Sequence, residues 1–149
     1  MLTIHAADEV RRAWDGEPLK DAGVAVDGDR IAGVGTLDEL RERFPGARVR
    51  QWPGVIGPAL VHEGPLPEAP SPRERLHAVL KSGATAVLAQ YAGTPDLRTA
   101  ASRNDIAVLP HMKKTAIADN GRADLAVFDA DGSTCIATVC AGRLVHRRR

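Results

Sequence analysis

The sequence predicts an α+β fold in which strands from both chain termini form a β-sandwich around a parallel βαβαβ insert. Three observations predict it. Residues 2–7, 23–35 and 47–52 alternate apolar with polar, as half-buried antiparallel strands do, and the alternation returns after residue 122. Between these ends the pattern changes to short unbroken apolar runs at residues 55–61, 84–90 and 106–110, the mark of strands buried on both faces. Two helix signals separate those runs, and a β-α-β-α-β order implies parallel pairing through right-handed crossovers.

The elements follow in order. LTIHAA, residues 2–7, is a short strand followed by a charged loop. GVAVDGDRIAGVG, residues 23–35, alternates on both sides of Asp27-Gly28-Asp29 and reads as a hairpin. Thr36-Leu37-Asp38-Glu39 is a capping box that opens a helix running to about Phe44, and Pro45-Gly46 stops it. ARVRQW is the next strand and runs into Pro53-Gly54. After the run at 55–61 and a Pro-rich loop, Ser71 caps a helix with Pro72 at its first position and Glu74 completing the box; Gly83 closes it. ATAVLAQ is a buried strand. Thr94-Pro95 opens a helix to about Arg103, with Asn104 as its left-handed terminator, and IAVLP is a third short strand. ADLAVFDA and CIATVCAGRLVHR are antiparallel strands joined through Asp131-Gly132, with a tight turn or bulge at Ala141-Gly142-Arg143. The expected organisation is one compact unit over 1–149, with 1–53 and 121–149 forming the sandwich and 54–120 the insert.

Composition excludes several function classes. A chain of 149 residues with 44% hydrophobic and 26% charged residues is ordinary for a globular domain. A net charge of +1 creates no field for nucleic acid or anionic membrane, and 3% aromatics leave few stacking platforms for single strands. The terminal Arg147-Arg148-Arg149 reads as a solvated tail. With no signal pattern and no apolar run near the ~18 residues of a membrane span, the expected location is cytoplasmic. Cys135 and Cys140 lie five apart, which on a regular strand places them on opposite faces as reduced thiols.

PGVIGPALVHEG, residues 53–64, carries more specific information. Together with VAVDGDRIAGVG near the start and GRADLAVFDADG…ATVCAGRLVHRR at the end, it resembles the amidohydrolase superfamily, especially its imidazolonepropionase and aminodeoxyfutalosine deaminase-like members. That resemblance implies a composite β-sandwich from both chain ends flanking a metal-bearing TIM-type (β/α)8 barrel. It also implies a histidine pair on the first barrel strand, one residue apart, so that both side chains share a face and grip one divalent ion. Here Ala59 and Val61 occupy those positions and offer no lone pair. Gly57 stands where the family commonly has Asp or Asn, and His62 is displaced by one residue, onto the opposite face of a regular strand. A complete barrel takes ~250 residues, whereas roughly 65 lie between Gly54 and Gly121. The insert is therefore expected to be a truncated, barrel-derived fragment without metal, cofactor or catalytic residues.

The remaining candidate site lies where three parallel strands end at one rim: His62 and Glu63, Gln90 and Tyr91, and His111. Ligands of open α/β sheets bind outside the carboxyl ends of strands, so this cluster suits a small polar molecule. The competing account is that polar residues end buried strands because loops meet water. His5, His77 and His146 sit alone on separate elements, Lys113-Lys114 reads as a solvated loop, and Asp124 and Asp129 as turn residues. No phosphate loop or Gly-x-Ser-x-Gly elbow is present. The functional expectation is a non-catalytic amidohydrolase-like binding or interaction module. The alternative is a metal-dependent hydrolase or deaminase acting on C–N bonds, with a rearranged site or one completed by another chain. A two-fold homodimer through the parallel insert is expected, because an unclosed barrel leaves 55–61 and 106–110 with open edges. A small polar ligand or a protein is the other expected partner; nucleic acid and membrane are not.

Overall fold

The computed structural model describes residues 2–148. Eleven strands and three α-helices occur among them. In chain order they are β1 Leu2–Val10, β2 Leu19–Asp27, β3 Arg30–Thr36, α1 Leu37–Arg43, β4 Arg48–Gln51, β5 Val55–Pro58, β6 Leu60–Val61, α2 Pro72–Lys81, β7 Ala84–Leu88, α3 Pro95–Arg103, β8 Ala107–Leu109, β9 Leu125–Phe128, β10 Cys135–Cys140 and β11 Arg143–Arg147. The architecture is α+β, with a mixed eight-stranded sheet drawn from both ends of the chain and a small parallel sheet with helices between them. The large sheet runs β11-β10-β9-β5-β1-β2-β3, with β4 also on β1; the small sheet runs β6-β7-β8.

Strand β1 organises the large sheet. One edge takes β2 in an antiparallel hairpin from Leu2↔Asp27 to Val10↔Leu19. The other edge is shared: Thr3–Ala6 pair in parallel with β4, and Glu9–Val10 with β5. The chain passes from one stretch to the next through Pro53-Gly54. Gly54 sits at φ +88, and a Cβ there would lie 2.1 Å from the Phe128 carbonyl oxygen, so only glycine fits. The apolar cluster Ala7, Val10, Val24, Val26, Ile31, Trp52, Ile56, Leu125, Val127 and Val139 draws on both ends of the sheet. On the outer side, α1 buries Leu40 against Ile4 and Ala25. Helices α2 and α3 bury Leu76, Val79, Leu80, Leu97 and Ala101 against Val87 of β7 and Cys140 of β10. Thr138 donates from Oγ1 to the Leu80 carbonyl at 2.7 Å, joining the large sheet to α2.

All three helix caps follow the sequence. Thr36, Ser71 and Thr94 accept from the backbone N–H three residues on, at 3.2, 3.2 and 3.3 Å. Elsewhere the structure departs from the sequence reading. β1 extends to Val10 because Asp8 accepts from the Gly54 N–H and Glu9 pairs with Lys20, which gives strand roles to residues read as a charged loop. The run 55–61 is two strands. Pro58 has no N–H to continue a ladder; Ala59 donates to the Asp124 carbonyl and Leu60 to the Gly83 carbonyl, so the chain changes sheets there. The expected open edge at 55–58 is paired with β9, from Val55↔Phe128 to Pro58↔Leu125. β7 stops at Leu88, and Ala89–Tyr91 form a 3-10 turn. Asn104 has φ −104, and the left-handed position falls to Asp105 at φ +56. A bulge between Cys135 and Ala137 cancels the odd spacing of the cysteines. The Cys135 thiol lies 3.4 Å from Thr138 Oγ1, on the face that Cys140 shares, and both thiols are free.

His5 is buried in the large sheet, where its Nδ1 accepts from Trp52 Nε1 at 3.1 Å. Burial, followed by the fields of Arg50 and Arg48, lowers its pKa from 6.5 to about 4. The unfolded chain therefore takes up a proton that the folded chain refuses. The stabilisation is complete above about pH 6.5 and is lost as pH falls toward 4, a difference worth about 3 kcal/mol. Urea unfolding is expected to show that loss between pH 7.5 and pH 4, with a flatter profile for His5→Asn; parallel profiles for the two proteins would contradict the assignment.

Candidate functional site

The two positions at which the resemblance places metal ligands are Ala59, between β5 and β6, and Val61, in β6. Ala59 and Val61 point away from the helices and line a cavity of about 230 Å³ with Ala86, Ala107, Leu109 and Lys113. Val61, Ala86 and Leu88 form an apolar cluster there, joined by the half-buried Tyr91, Ala107 and Leu109. That cluster forms one side of the cavity; Thr85, Lys114, Thr115, Arg122 and Asp124 line the rest. Among the described residues no group of three or more His, Cys, Asp or Glu could hold a metal ion. A divalent metal of the kind the family uses does not fit this donor set, since methyl groups stand where imidazoles would be needed.

Trp14, in the loop between β1 and β2, explains Gly57. Its indole Nε1 donates to the Pro58 carbonyl at 2.7 Å, and its ring meets Phe128 edge-on at 5.5 Å. A Cβ on Gly57 would lie 2.4 Å from the indole ring, so the side chain the family commonly carries there has no room. The sequence offered a lone tryptophan after a charged loop, with nothing to connect it to residue 57 across more than 40 positions.

The rim residues divide. His62 continues the β6 pairing by donating from its backbone N–H to the Ala86 carbonyl at 2.8 Å. Its ring Nε2 turns back to the Pro65 carbonyl at 3.1 Å. His62 and Glu63 line a groove of about 550 Å³ with Trp14, Leu60, Met112 and Lys113. Gln90, Tyr91 and His111 lie outside that lining. Gln90 and Tyr91 lie within the 3-10 turn, with Tyr91 half-buried against the apolar cluster, and His111 is exposed. The structure thus joins the first pair of candidates in one groove and leaves the other three separate from it.

Lys113 and Lys114 lie in an exposed loop, as the sequence predicts, and both also line the groove. Lys114 pairs with Asp15, and Ile117 donates to the Arg12 carbonyl at 2.7 Å, tying residues 112–117 to the β1–β2 loop. Asp124 does more than finish a turn. It accepts both bonds from Arg122 Nε, at 3.0 and 2.8 Å, and accepts the Ala141 N–H at 2.9 Å. Asp129 does serve the turn, accepting from the Ser133 and Thr134 N–H groups. Burial pushes the Cys140 thiol up to about 11 despite the nearby Arg122, so it is held as an unreactive thiol.

Gly57→Asp is expected to destabilise the protein by at least about 2 kcal/mol, because the indole must be expelled. The red shift of Trp14 emission and the drop in urea midpoint measure it together. Wild-type stability with unshifted emission would mean that Trp14 does not fill that space.

Residues 22–47 match the family described as the imidazolonepropionase-like composite domain of bacteria. None of the curated proteins matches the chain in sequence. Among solved structures it is similar to E. coli guanine deaminase, at 14% identity and TM-score 0.55, covering 72% of this chain and 35% of that one. It is likewise similar to an adenosine deaminase from Xanthomonas campestris, at 17% identity and TM-score 0.53, with 72% and 33% covered. A. niger ochratoxinase gives 21%, 0.52, 72% and 30%. At these identities the likeness is one of fold, and the chain spans about a third of the length of those structures. The chain accordingly resembles an imidazolonepropionase-like composite domain over residues 22–47 and shares the fold of part of these larger structures.

Proposed function

We propose that this protein is a non-catalytic relative of the amidohydrolase superfamily that serves as a binding or interaction module. The observation that carries the reading is the pair Ala59 and Val61, which put aliphatic side chains where the resemblance places metal ligands, with Val61 packed on Ala86 and Leu88. In the same reading the large sheet is the composite β-sandwich contributed by 1–53 and 121–149. Residues 54–120 are the remnant of a TIM-type barrel, and the two parts fold as one unit. The pairing of β5 with β9 supports this division, because it brings the two ends of the insert together at its base. The groove beside His62 and Glu63 is the place for a small polar ligand.

Metal analysis of freshly purified protein tests the reading. Zinc, iron and manganese are expected to be substoichiometric, and no metal-dependent hydrolysis of amidine, lactam or aminopurine substrates is expected. Ala59→His with Val61→His should remain inactive, because two imidazoles without further ligands and a base do not make a hydrolytic centre. One tightly held metal per chain with turnover would support the opposite reading, a C–N hydrolase with a rearranged site or one completed by another chain.

The insert is also proposed as the surface of a homodimer. Among the described residues β8 pairs only with β7, so its outer edge keeps free backbone groups beside the half-buried Leu109. Sedimentation across micromolar concentrations is expected to give a dimer, and Leu109→Glu is expected to weaken it at least about tenfold, or 1.4 kcal/mol. Arg43→Glu, on the exposed side of α1, should leave it unchanged. A monomeric mass throughout would favour covering within one chain by residues 112–117.

A further inference from the structure

Three arginines lie at one edge of the large sheet, on the face that carries Trp52; Arg50 is half-buried, and Arg48 and Arg147 are exposed. In the β1–β4 register Thr3 pairs with Arg48 and His5 with Arg50; in the β1–β2 register the same two residues pair with Val26 and Val24. Paired residues share a face, and Val24 and Val26 belong to the same cluster as Trp52, so Arg48 and Arg50 lie on that face. Arg147 pairs with Ala137, another core residue, and reaches the same place from the opposite end of the chain. The guanidinium carbons of Arg50 and Arg147 lie 5.9 and 5.5 Å from the centre of the Trp52 ring. His5 stacks on the same ring at 6.3 Å and is held neutral.

This edge carries positive charge and no acid. Among the described residues the arginine ion pairs belong to Arg11, Arg30, Arg122 and Arg143; Arg48, Arg50 and Arg147 have none. Burial, then repulsion from Arg48 and Arg147, works against the charge of Arg50. Stacking on Trp52 accounts for where two of the side chains lie. It does not account for bringing three like charges together on a chain whose net charge is only +1. A planar guanidinium fork matches the oxygens of a phosphate group, and Trp52 gives the cluster a fixed floor.

We propose that Arg48, Arg50 and Arg147, set around Trp52 at the β4 and β11 edge, form a binding site for a phosphate-type anion, either free or as a phosphomonoester. The site lies away from the groove at His62 and does not depend on whether the protein is catalytic. Inorganic phosphate and glycerol 2-phosphate serve as probes at pH 7.5 and constant ionic strength, read by tryptophan emission and calorimetry. Saturable binding of about one anion per chain is expected, weakened at least about tenfold in Arg50→Gln and in Arg147→Gln. Arg103→Gln, at the exposed end of α3, should leave it unchanged. Arg147 is exposed, so its variant keeps the test open if Arg50→Gln fails to fold. Equal affinity for the two probes assigns the site to free phosphate, and tighter binding of the ester assigns it to a phosphorylated metabolite. A response that follows ionic strength alone would overturn the proposal, as would equal weakening in Arg103→Gln. So would binding only to a polyanion such as heparin that phosphate does not displace.

Discussion

The ladder between β5 and β9 constrains everything inserted between them. Val55 lies opposite Phe128 and Pro58 opposite Leu125, so the intervening chain leaves and returns at neighbouring points of one sheet. Whatever that chain forms must close on its own base. Three short strands and two helices use the length, and the helices bury their apolar faces between β7 of the small sheet and β10 of the large one. This limit does not depend on what precedes or follows the chain. It comes from an internal span whose two ends are hydrogen-bonded to each other.

Within that limit, two segments meet beside the small parallel sheet. Trp14 arrives from the β1–β2 loop, and residues 112–117 arrive from the end of β8, with the Lys114–Asp15 pair holding the two arrivals together. An exposed ion pair of this kind contributes little by itself. The backbone bond from Ile117 to Arg12 and the indole bond to Pro58 fix the geometry. Small residues then become a requirement: Gly57 and Ala59 leave room that larger groups would take from the indole and from the apolar cluster.

Much of the fold was legible in the sequence because it was written locally. The three N-caps, the Gly28 turn and the change from alternating to unbroken apolar runs are short-range signals, and each led to the right element. The failures share a different cause. Residues 55–61 look like one strand because both halves are buried; only the Asp124 and Gly83 carbonyls, distant in sequence, reveal the change of sheet at Pro58. Cys135 and Cys140 share a face because of a bulge that no residue type announces. Of the candidate site, the sequence carried the strand ends but not their relative positions. His62 and Glu63 meet in one groove because they are adjacent in the chain, whereas Tyr91 turns under the cluster and His111 turns outward. Trp14 and the unpaired arginines were invisible for the same reason, since their meaning lies in partners that strand pairing supplies.

Gly142 takes a left-handed turn with φ +82, and a Cβ on it would lie 1.8 Å from the Gly28 carbonyl oxygen. The tip of the first hairpin is therefore pressed against the tip of the last, and Ala123 adds bonds to Asp29 and Gly142 across the same junction. Emerging from the ribosome, the first hairpin has no docking surface until more than a hundred further residues have been made. Contacts of such sequence separation form late and slowly, because a long loop must be closed before they give any return. The junction between the Gly28 and Gly142 turns therefore waits for nearly the whole chain to be made.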